Sequence, residues 1–434
     1  MITQGPDKAT VLKWNSMITH WVGWALFFFF IVSILGIALR YYFIGVVPGF
    51  GFNDLKHGHS HAAMLGWAFL AASAVLMVFF IDKDRRTGIY RMSLILNIVA
   101  VLGMSISFPL EGYGLFSISF STLHLGAAYL FAFAFLRDLR RSGERSLALS
   151  FARWSVIWMC ISTLGLWAIA PVSATLGGLH PLYFMSIQWF LHFQLIGWFT
   201  FAVIAGLIRY LELNGKEMIF KPYTFPVIQL SVILTYALSV NWSTPSSVLF
   251  YLNSVGVGLQ LYGFYLLLSP LFTSLSSIRF PGQKWMIFFL KFGLAMLALR
   301  VLIQFAVVVP AVAEISYTLR MFVVAFIHLI MMGAFTFTVA GLLGLTEKLS
   351  CNRLAITGWL LFLCGFIITE ILMFGQGIML WSGLGFIPSF HHYMFWSSIL
   401  FPVGLIAILA AQFGPAIIPL WRKFIFKPFK LRTI

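Results

Sequence analysis

The sequence has few charged residues, and acidic residues are the scarcest of them. Only 9% of the 434 residues are charged, whereas soluble globular proteins average about a quarter. The chain has 12 acidic residues against 28 lysines and arginines, and 61% of its residues are hydrophobic. A mean hydropathy of +0.97 fits a chain surrounded by lipid rather than by water. This composition predicts an integral membrane protein.

Cysteine is also rare, and its positions exclude several kinds of site. Cys160 and Cys364 fall within apolar runs, and Cys351 falls in a connecting loop. A structural disulfide is therefore not expected, and the sequence has no CxxC pair. The CxxCH motif that attaches a c-type heme covalently is absent as well.

Long apolar runs recur along the whole chain, and each can cross about 30 Å of hydrocarbon as a helix. We predict twelve transmembrane helices, at about residues 18–45, 60–81, 89–108, 116–138, 149–171, 183–210, 224–240, 247–269, 284–310, 318–345, 353–374 and 393–420. The first run is too long, and too poorly flanked for cleavage, to be a removed signal peptide. The loops are too short for a soluble domain, and no internal repeat is evident. Residues 1–434 are therefore predicted to form one all-α membrane domain.

Positive charge is concentrated on one side of these predicted helices. All but four of the 28 lysines and arginines fall at the chain ends or in loops that connect even-numbered to odd-numbered helices. The positive-inside rule then puts both chain ends in the cytoplasm, and a bacterial inner membrane is the expected location. This bias and contact with anionic membrane lipid explain the net charge of +16, so a nucleic-acid partner is not expected.

The four exceptions lie at the outer ends of the predicted helices: Arg40, Lys56, Arg300 and Arg320. A basic side chain at this depth can extend to the outer headgroups, which is the interpretation we favour for Lys56. Arg300 and Arg320 flank the loop between the ninth and tenth helices, where they could instead pair with the carboxylates of a buried cofactor. Glu314 in the same loop is the competing partner.

Nine of the ten histidines lie on the outer side of this predicted topology, and only His20 lies near the inner surface. A histidine inside a membrane span is costly unless it faces a partner, a cavity or a metal. The common depth of these residues predicts a metal or heme site near the outer face.

Three alternating histidines, His57, His59 and His61, open the second predicted helix. Because each helical residue advances by about 100°, His57 and His61 share a face and His59 lies about 200° from either. Three such ligands cannot all reach one ion. They could serve two sites, or one site with the third as an outer or loop residue. His57 follows Lys56 at the water boundary, so a capping or loop-bonding role explains it.

Three further predicted helices contain one histidine each at this depth: His124 in the fourth, His192 in the sixth and His328 in the tenth. A single buried histidine is more often structural than functional, because a serine or a carbonyl can satisfy it. Four helices that bring histidines to one depth argue against a structural role for all of them. Neutral imidazoles on different helices suit bis-imidazole ligation of iron.

Twelve spans, with a histidine opening the second and one each in the sixth and tenth, resemble the catalytic subunit of heme–copper oxidases and nitric oxide reductases. The string Val323–Ala334 is similar to that family's heme-binding helix, which usually has two histidines separated by one residue. The first binds the active-site heme iron and the second the low-spin heme. Here Phe326 occupies the first position and His328 the second.

The other low-spin ligand of that family is matched by His59, through its offset from Met64, Leu65 and Gly66. The resemblance therefore implies a low-spin heme b with His59 and His328 as its axial ligands. Arg300 and Arg320 are then expected beside the heme propionates.

The chain departs from the oxidase pattern at the copper site. That pattern has a histidine pair near the outer end of span seven, where this chain has Asn241 and Trp242. His192 resembles the remaining copper ligand. The departure argues against an oxidase-type oxygen-reducing centre. The chain is more similar to the NnrS-like branch, heme- and copper-containing proteins linked to nitric oxide tolerance, which has a His-x-His entry to a span and a single histidine before a Gly-Ala pair.

The remaining histidines could surround a second site. His61 is turned away from the predicted heme face, and His192 lies at a comparable depth on another helix. We expect these two, with help from His124 or from the adjacent His391 and His392, to hold copper or non-heme iron. The alternative is that His391 and His392 are exposed loop residues and that His124 is a hydrogen-bonded core residue.

Acidic residues within the predicted spans are too few for proton pumping. Glu370 in the eleventh helix either relays protons or pairs with an arginine such as Arg300, and we favour pairing. Two alternative functional classes remain open. The first is a heme-bearing redox protein that handles nitric oxide, or passes electrons between quinol or a periplasmic carrier and a second metal centre. The second is a non-enzymatic transporter, or a heme or copper handling protein, with the same fold.

Overall fold

The computed structural model describes residues 8–83, 87–141, 146–277 and 283–425, without the side chains of residues 8 and 415–425. The described residues form helices joined by short loops and contain no β-strand. Twelve helices are long and apolar enough to cross a membrane, which confirms the predicted number and the all-α fold class. They are α1 (Ala9–Tyr41), α2 (Phe52–Phe80), α3 (Gly88–Glu111), α4 (Leu115–Arg140), α5 (Leu147–Leu176), α6 (Pro181–Leu213), α7 (Thr224–Ser243), α8 (Ser247–Ser276), α9 (Lys284–Val308), α10 (Arg320–Leu345), α11 (Arg353–Trp381) and α12 (Phe390–Gly414).

Several helices extend beyond the apolar runs that predict them. Helix α2 begins at Phe52 rather than near residue 60, so all three alternating histidines are helical. Helix α11 continues to Trp381, about two turns beyond its predicted end. Hydropathy underestimates these ends because polar residues continue the helix where the membrane interface can solvate them.

The loops divide the bundle into two ends. The histidine end carries the loops that follow odd-numbered spans, and the basic end carries the loops that follow even-numbered spans. A short helix, Pro310–Thr318, lies at the histidine end between α9 and α10. The assignment of the basic end to the cytoplasm remains a prediction from charge.

Helices α2, α6 and α10 form the centre of the bundle. In the most apolar stretch of each, 89%, 94% and 61% of the residues are buried, against 33–50% in the other nine spans. The outer spans instead expose large apolar side chains such as Ile95, Phe133 and Ile371, as expected of helices that face lipid.

Each central helix changes from α- to π-helical geometry immediately after a histidine. The π segments are Ala62–Ala68, Phe193–Phe199 and Leu329–Thr336, which follow His61, His192 and His328. Such segments are rare, and they occur frequently at functional sites. Their common position indicates a candidate functional site in the histidine half of the central helices.

The three π segments share one short pattern, a histidine followed five residues later by Gly66, Gly197 or Gly333. So short a pattern is not an internal repeat, and the sequence analysis does not single it out. Two fixed positions separated by more than a hundred residues carry too little signal to stand out in an apolar chain. The glycines share a packing role, because a Cβ at Gly197 would lie 2.7 Å from Trp158 Cβ and one at Gly66 would lie 2.8 Å from Val101 Cγ1.

Candidate functional site

His59 lies near the histidine end of α2 and is oriented by the backbone of α1. Its Nδ1 is 3.0 Å from the carbonyl oxygen of Val32. Because a carbonyl oxygen only accepts hydrogen bonds, Nδ1 donates and a neutral ring keeps Nε2 as its unprotonated nitrogen. Gly36 allows this approach, since a Cβ there would lie 3.2 Å from His59 Cε1. The ring is therefore held in the tautomer that can bind a metal through Nε2.

His328 lies on α10 beside a carboxylate from α11. Its Nδ1 is 3.9 Å from Oε1 of Glu370, which is too far for a hydrogen bond. Among the described residues, neither this nitrogen nor either carboxylate oxygen has a hydrogen-bond partner. A small rotation of the imidazole would make the pair, and a carboxylate on the second ring nitrogen is the usual support of a metal-binding histidine.

Arg40 on α1 completes this arrangement. It interacts electrostatically with Glu370, His59 and His328, and its Nη2 donates to Met373 Sδ at 3.5 Å. His59 and His328 also interact with each other. We call His59, His328, Glu370 and Arg40 the bis-histidine group.

Glu370 interacts with an arginine, the interpretation that the sequence favours, but this arginine is Arg40 rather than Arg300. Glu370 also has an oxygen 3.9 Å from His328 Nδ1, whereas no carboxylate of the described ranges interacts with Arg300. Sequence reasoning placed Arg40 at the right depth but did not connect it with Glu370. Nothing in the sequence shows that α1 and α11 are neighbours.

The two arginines expected beside heme propionates lie apart. Arg320 is exposed at the start of α10 and interacts with Lys56. Arg300 is buried, and its Cζ is 5.9 Å from the ring centroid of Phe326. Because Phe326 precedes His328 by two residues, it projects about 200° away around the helix. Arg300 is therefore on the other side of α10 from the bis-histidine group.

His61 lies on a different face of α2 from His59, and His124 lies on α4. Nδ1 of His61 donates to the carbonyl of His57 at 2.9 Å, and the His61 ring packs on Phe108 with centroids 4.1 Å apart. His61 interacts electrostatically with His124. The amide nitrogen of Asn97 donates to His124 Nδ1 at 2.8 Å. His124 is thus a hydrogen-bonded core residue, as the alternative reading expects.

A cavity of about 10 Å³ adjoins His124, lined also by Met64, Phe69 and Gln194. Its volume is enough for about one water molecule. The space beside His124 is therefore small and partly polar.

The remaining predicted metal ligands are not assembled. Nε2 of His192 donates to the carbonyl of Val232 at 2.8 Å. His391 stacks on Phe43 with centroids 4.7 Å apart, and His392 is exposed. Over residues 8–83, 87–141, 146–277 and 283–425, no three His, Cys, Asp or Glu side chains form a group that could hold a metal ion. The histidines expected at a second centre are therefore dispersed, and that centre stays a prediction.

Comparison with known proteins supplies a structural likeness and no sequence relative. No family model matches the chain, and no curated protein matches its sequence. A cryo-electron microscopy structure of a heme–copper terminal oxidase dimer is similar, with a TM-score of 0.68 and 13% sequence identity over 93% of this chain and 84% of that chain. The chain therefore has the fold of a heme–copper oxidase subunit I, as its span and histidine pattern predicts.

Proposed function

We propose that this protein is a heme-bearing membrane redox protein in which His59 and His328 hold one low-spin heme b. The observation that carries the proposal is the bis-histidine group. It contains two interacting imidazoles on different central helices, one of them with its tautomer set by Val32. The likeness in fold to a heme–copper terminal oxidase gives independent support for a redox role.

The unpartnered atoms of this group fit a heme. Nδ1 of His328 and both oxygens of Glu370 lack hydrogen-bond partners where the structure describes the chain, and iron ligation through Nε2 would turn Nδ1–H toward the carboxylate. That contact raises ligand basicity and fixes the ring. Arg40 is better placed than Arg300 or Arg320 to meet a heme propionate, because it already interacts with both histidines. A heme bound here would supply one-electron transfer.

We infer that the substrate or signal is nitric oxide, as in the NnrS-like branch. The support comes from α10. Phe326 occupies the position at which heme–copper oxidases, which the chain resembles, have the histidine ligand of a second heme. The dispersed histidines likewise offer no three-ligand copper site among the residues described. A single heme held by two histidines suits electron relay, with quinol or a periplasmic carrier as the donor. Nitric oxide would bind its iron only by displacing His59 or His328.

Heme and metal content, together with nitric oxide uptake, test this function. The wild type, His328→Ala and the control His391→Ala would be purified in detergent and assayed for extracted heme, iron and copper. We expect one heme b per chain in the wild type and in His391→Ala, and little in His328→Ala. Quinol-dependent consumption of nitric oxide should follow heme content.

Two results would count against this function. A wild type without heme, expressed with ample heme supply, would refute the redox proposal. A wild type that binds heme but neither consumes nitric oxide nor changes its spectrum on exposure to it would favour the alternative, a heme or copper handling protein.

A further inference from the structure

Arg300 on α9 is a buried charge without a counterion. Its side chain is 1% exposed, and Nε, Nη1 and Nη2 all lack hydrogen-bond partners in the part of the chain that is described. Arginine stays protonated in proteins, so it cannot escape the cost of burial by losing its proton. A buried charge is retained where something pairs with it.

The described chain offers Arg300 no anion. The ring of Phe326 and the imidazole of His192 lie beside it, and neither group is negatively charged. Glu314 on the connecting helix is exposed, and Glu370 belongs to the bis-histidine group. An aromatic face contributes only a weak attraction to a cation, so the guanidinium still needs a negative partner.

Unpartnered amides lie at the same depth. Gln304 is one turn from Arg300 on the same face of α9, and its Oε1 has no partner. On α8, both amide atoms of Gln260 are buried without a partner. Val257 and Val307 belong to one packed cluster. Helices α8 and α9 are antiparallel, Gln260 follows Val257 by three residues, and Gln304 precedes Val307 by three residues. Gln260 therefore lies level with Gln304.

Another buried amide lies on α8 between the histidine end and Gln260. Asn253 lies two turns from Gln260 on the same side of α8, and both of its amide atoms are likewise buried without a partner. Buried amides without partners are costly unless a ligand or water meets them. Arg300 and Gln260 therefore present unpartnered N–H donors to a ligand, whereas Gln304 presents only an unpartnered acceptor oxygen. We call these three residues the Arg300 group.

We propose that the Arg300 group binds a small monovalent inorganic anion such as nitrite or chloride. One guanidinium without a second cation matches a single negative charge. Its planar array of N–H donors can hold two oxygens of an oxyanion or one halide, and the buried amide of Gln260 offers a further donor. This site lies across α10 from His328, so it does not depend on a bound heme.

Thermal unfolding of the purified full chain tests the site. The background salt would be potassium gluconate, whose anion is too bulky for a buried pocket, and nitrite or chloride would replace it at constant ionic strength. The wild type and the control Arg320→Gln should show a saturable rise in unfolding temperature of roughly 2 °C or more. Arg300→Met should show none. In gluconate alone it should be at least as stable as the wild type, because the substitution removes an unpaired charge.

Comparison of the responses to nitrite and chloride identifies the kind of anion that binds. A rise with nitrite alone would assign an oxyanion site, whereas equal rises with nitrite and chloride would assign a general anion site. Should Arg300→Met not fold, Arg300→Lys keeps the charge without the planar fork, and its half-saturating concentration should be about tenfold higher than that of the wild type.

Three results would overturn the proposal. The first is a wild type that does not respond to either anion. The second is an Arg300→Met protein that responds like the wild type, which would place binding elsewhere. The third is an Arg300→Met protein that loses heme while the wild type ignores both anions, since Arg300 would then serve a heme propionate.

Discussion

At the residue scale, the chemistry of the bis-histidine group depends on which nitrogen each imidazole leaves free. A hydrogen bond to the Val32 carbonyl fixes the tautomer of His59. The tautomer of His328 depends on whether its Nδ1 pairs with Glu370. The two histidines could be picked out from sequence because both lie at a fixed offset from short motifs. Glu370 could be named but not placed, and Arg40 could not be assigned a partner. Arg40 and Glu370 lie more than three hundred residues apart along the chain, and charge patterns carry no such long-range information.

Replacement of Glu370 by glutamine should alter the heme without removing it. The amide keeps the size of the side chain but removes the negative charge that Glu370 would place beside His328 Nδ1 once a ferric heme is bound. Loss of that charge disfavours ferric iron, so we expect a higher midpoint potential in a redox titration, with low-spin bands retained. The affinity for heme should fall by about 10–100-fold, the usual effect of losing a carboxylate behind a ligand histidine.

Glu314→Gln is the matched control for that titration, because Glu314 is exposed on the short helix at the histidine end. Its potential should equal that of the wild type. Equal potentials for Glu370→Gln and the wild type would show that Glu370 does not position His328.

At the scale of elements, the central helices share a histidine, a π segment and a closely packed glycine. Hydropathy could not single them out, because the values for α2, α6 and α10 are 2.2, 1.8 and 2.2, within the range of 1.4 to 2.5 over all spans. In a bilayer, a helix that faces protein and a helix that faces lipid are both apolar. Burial is therefore invisible to composition, and the change to π geometry depends on contacts between helices.

The glycines of the π segments should not tolerate even a methyl group. A Cβ on Gly197 would lie 2.7 Å from both Cβ and Cγ of Trp158, whereas one on Gly258 in α8 would meet nothing within 4 Å. We expect Gly197→Ala to destabilise the fold by about 1–3 kcal/mol through overpacking. Gly258→Ala should be neutral, or stabilising by up to about 1 kcal/mol.

Thermal unfolding of both alanine variants in the same detergent would measure this difference. Equal unfolding temperatures for the two variants would mean that the packing of α6 on α5 is looser than the described contacts indicate.

At the scale of the whole molecule, apolar runs predict the number of spans and charge predicts their direction. The structure bears out the twelve spans, and the likeness to an oxidase bears out their arrangement. Direction across the membrane rests on the positive-inside rule alone. It decides whether the bis-histidine group faces the periplasm, and hence which electron donors could reach it.

Accessibility of single cysteines tests that direction. In a background without Cys160, Cys351 and Cys364, Ser382→Cys places a thiol in an exposed loop at the histidine end, and Ser277→Cys places one at the basic end. A membrane-impermeant maleimide added to intact cells or spheroplasts should label Ser382→Cys and spare Ser277→Cys until the membrane is opened. The reverse pattern would invert the topology.

The reduced-minus-oxidised absorption spectrum tests the assignment of the heme ligands most directly. It would be recorded for the purified wild type and for His59→Ala, His61→Ala and His328→Ala. If His59 and His328 are the axial ligands, the sharp low-spin bands of a b-type heme should disappear in both of those variants and persist in His61→Ala. Bands that survive in both His59→Ala and His328→Ala, or that are lost in His61→Ala but kept in His59→Ala, would contradict the assignment.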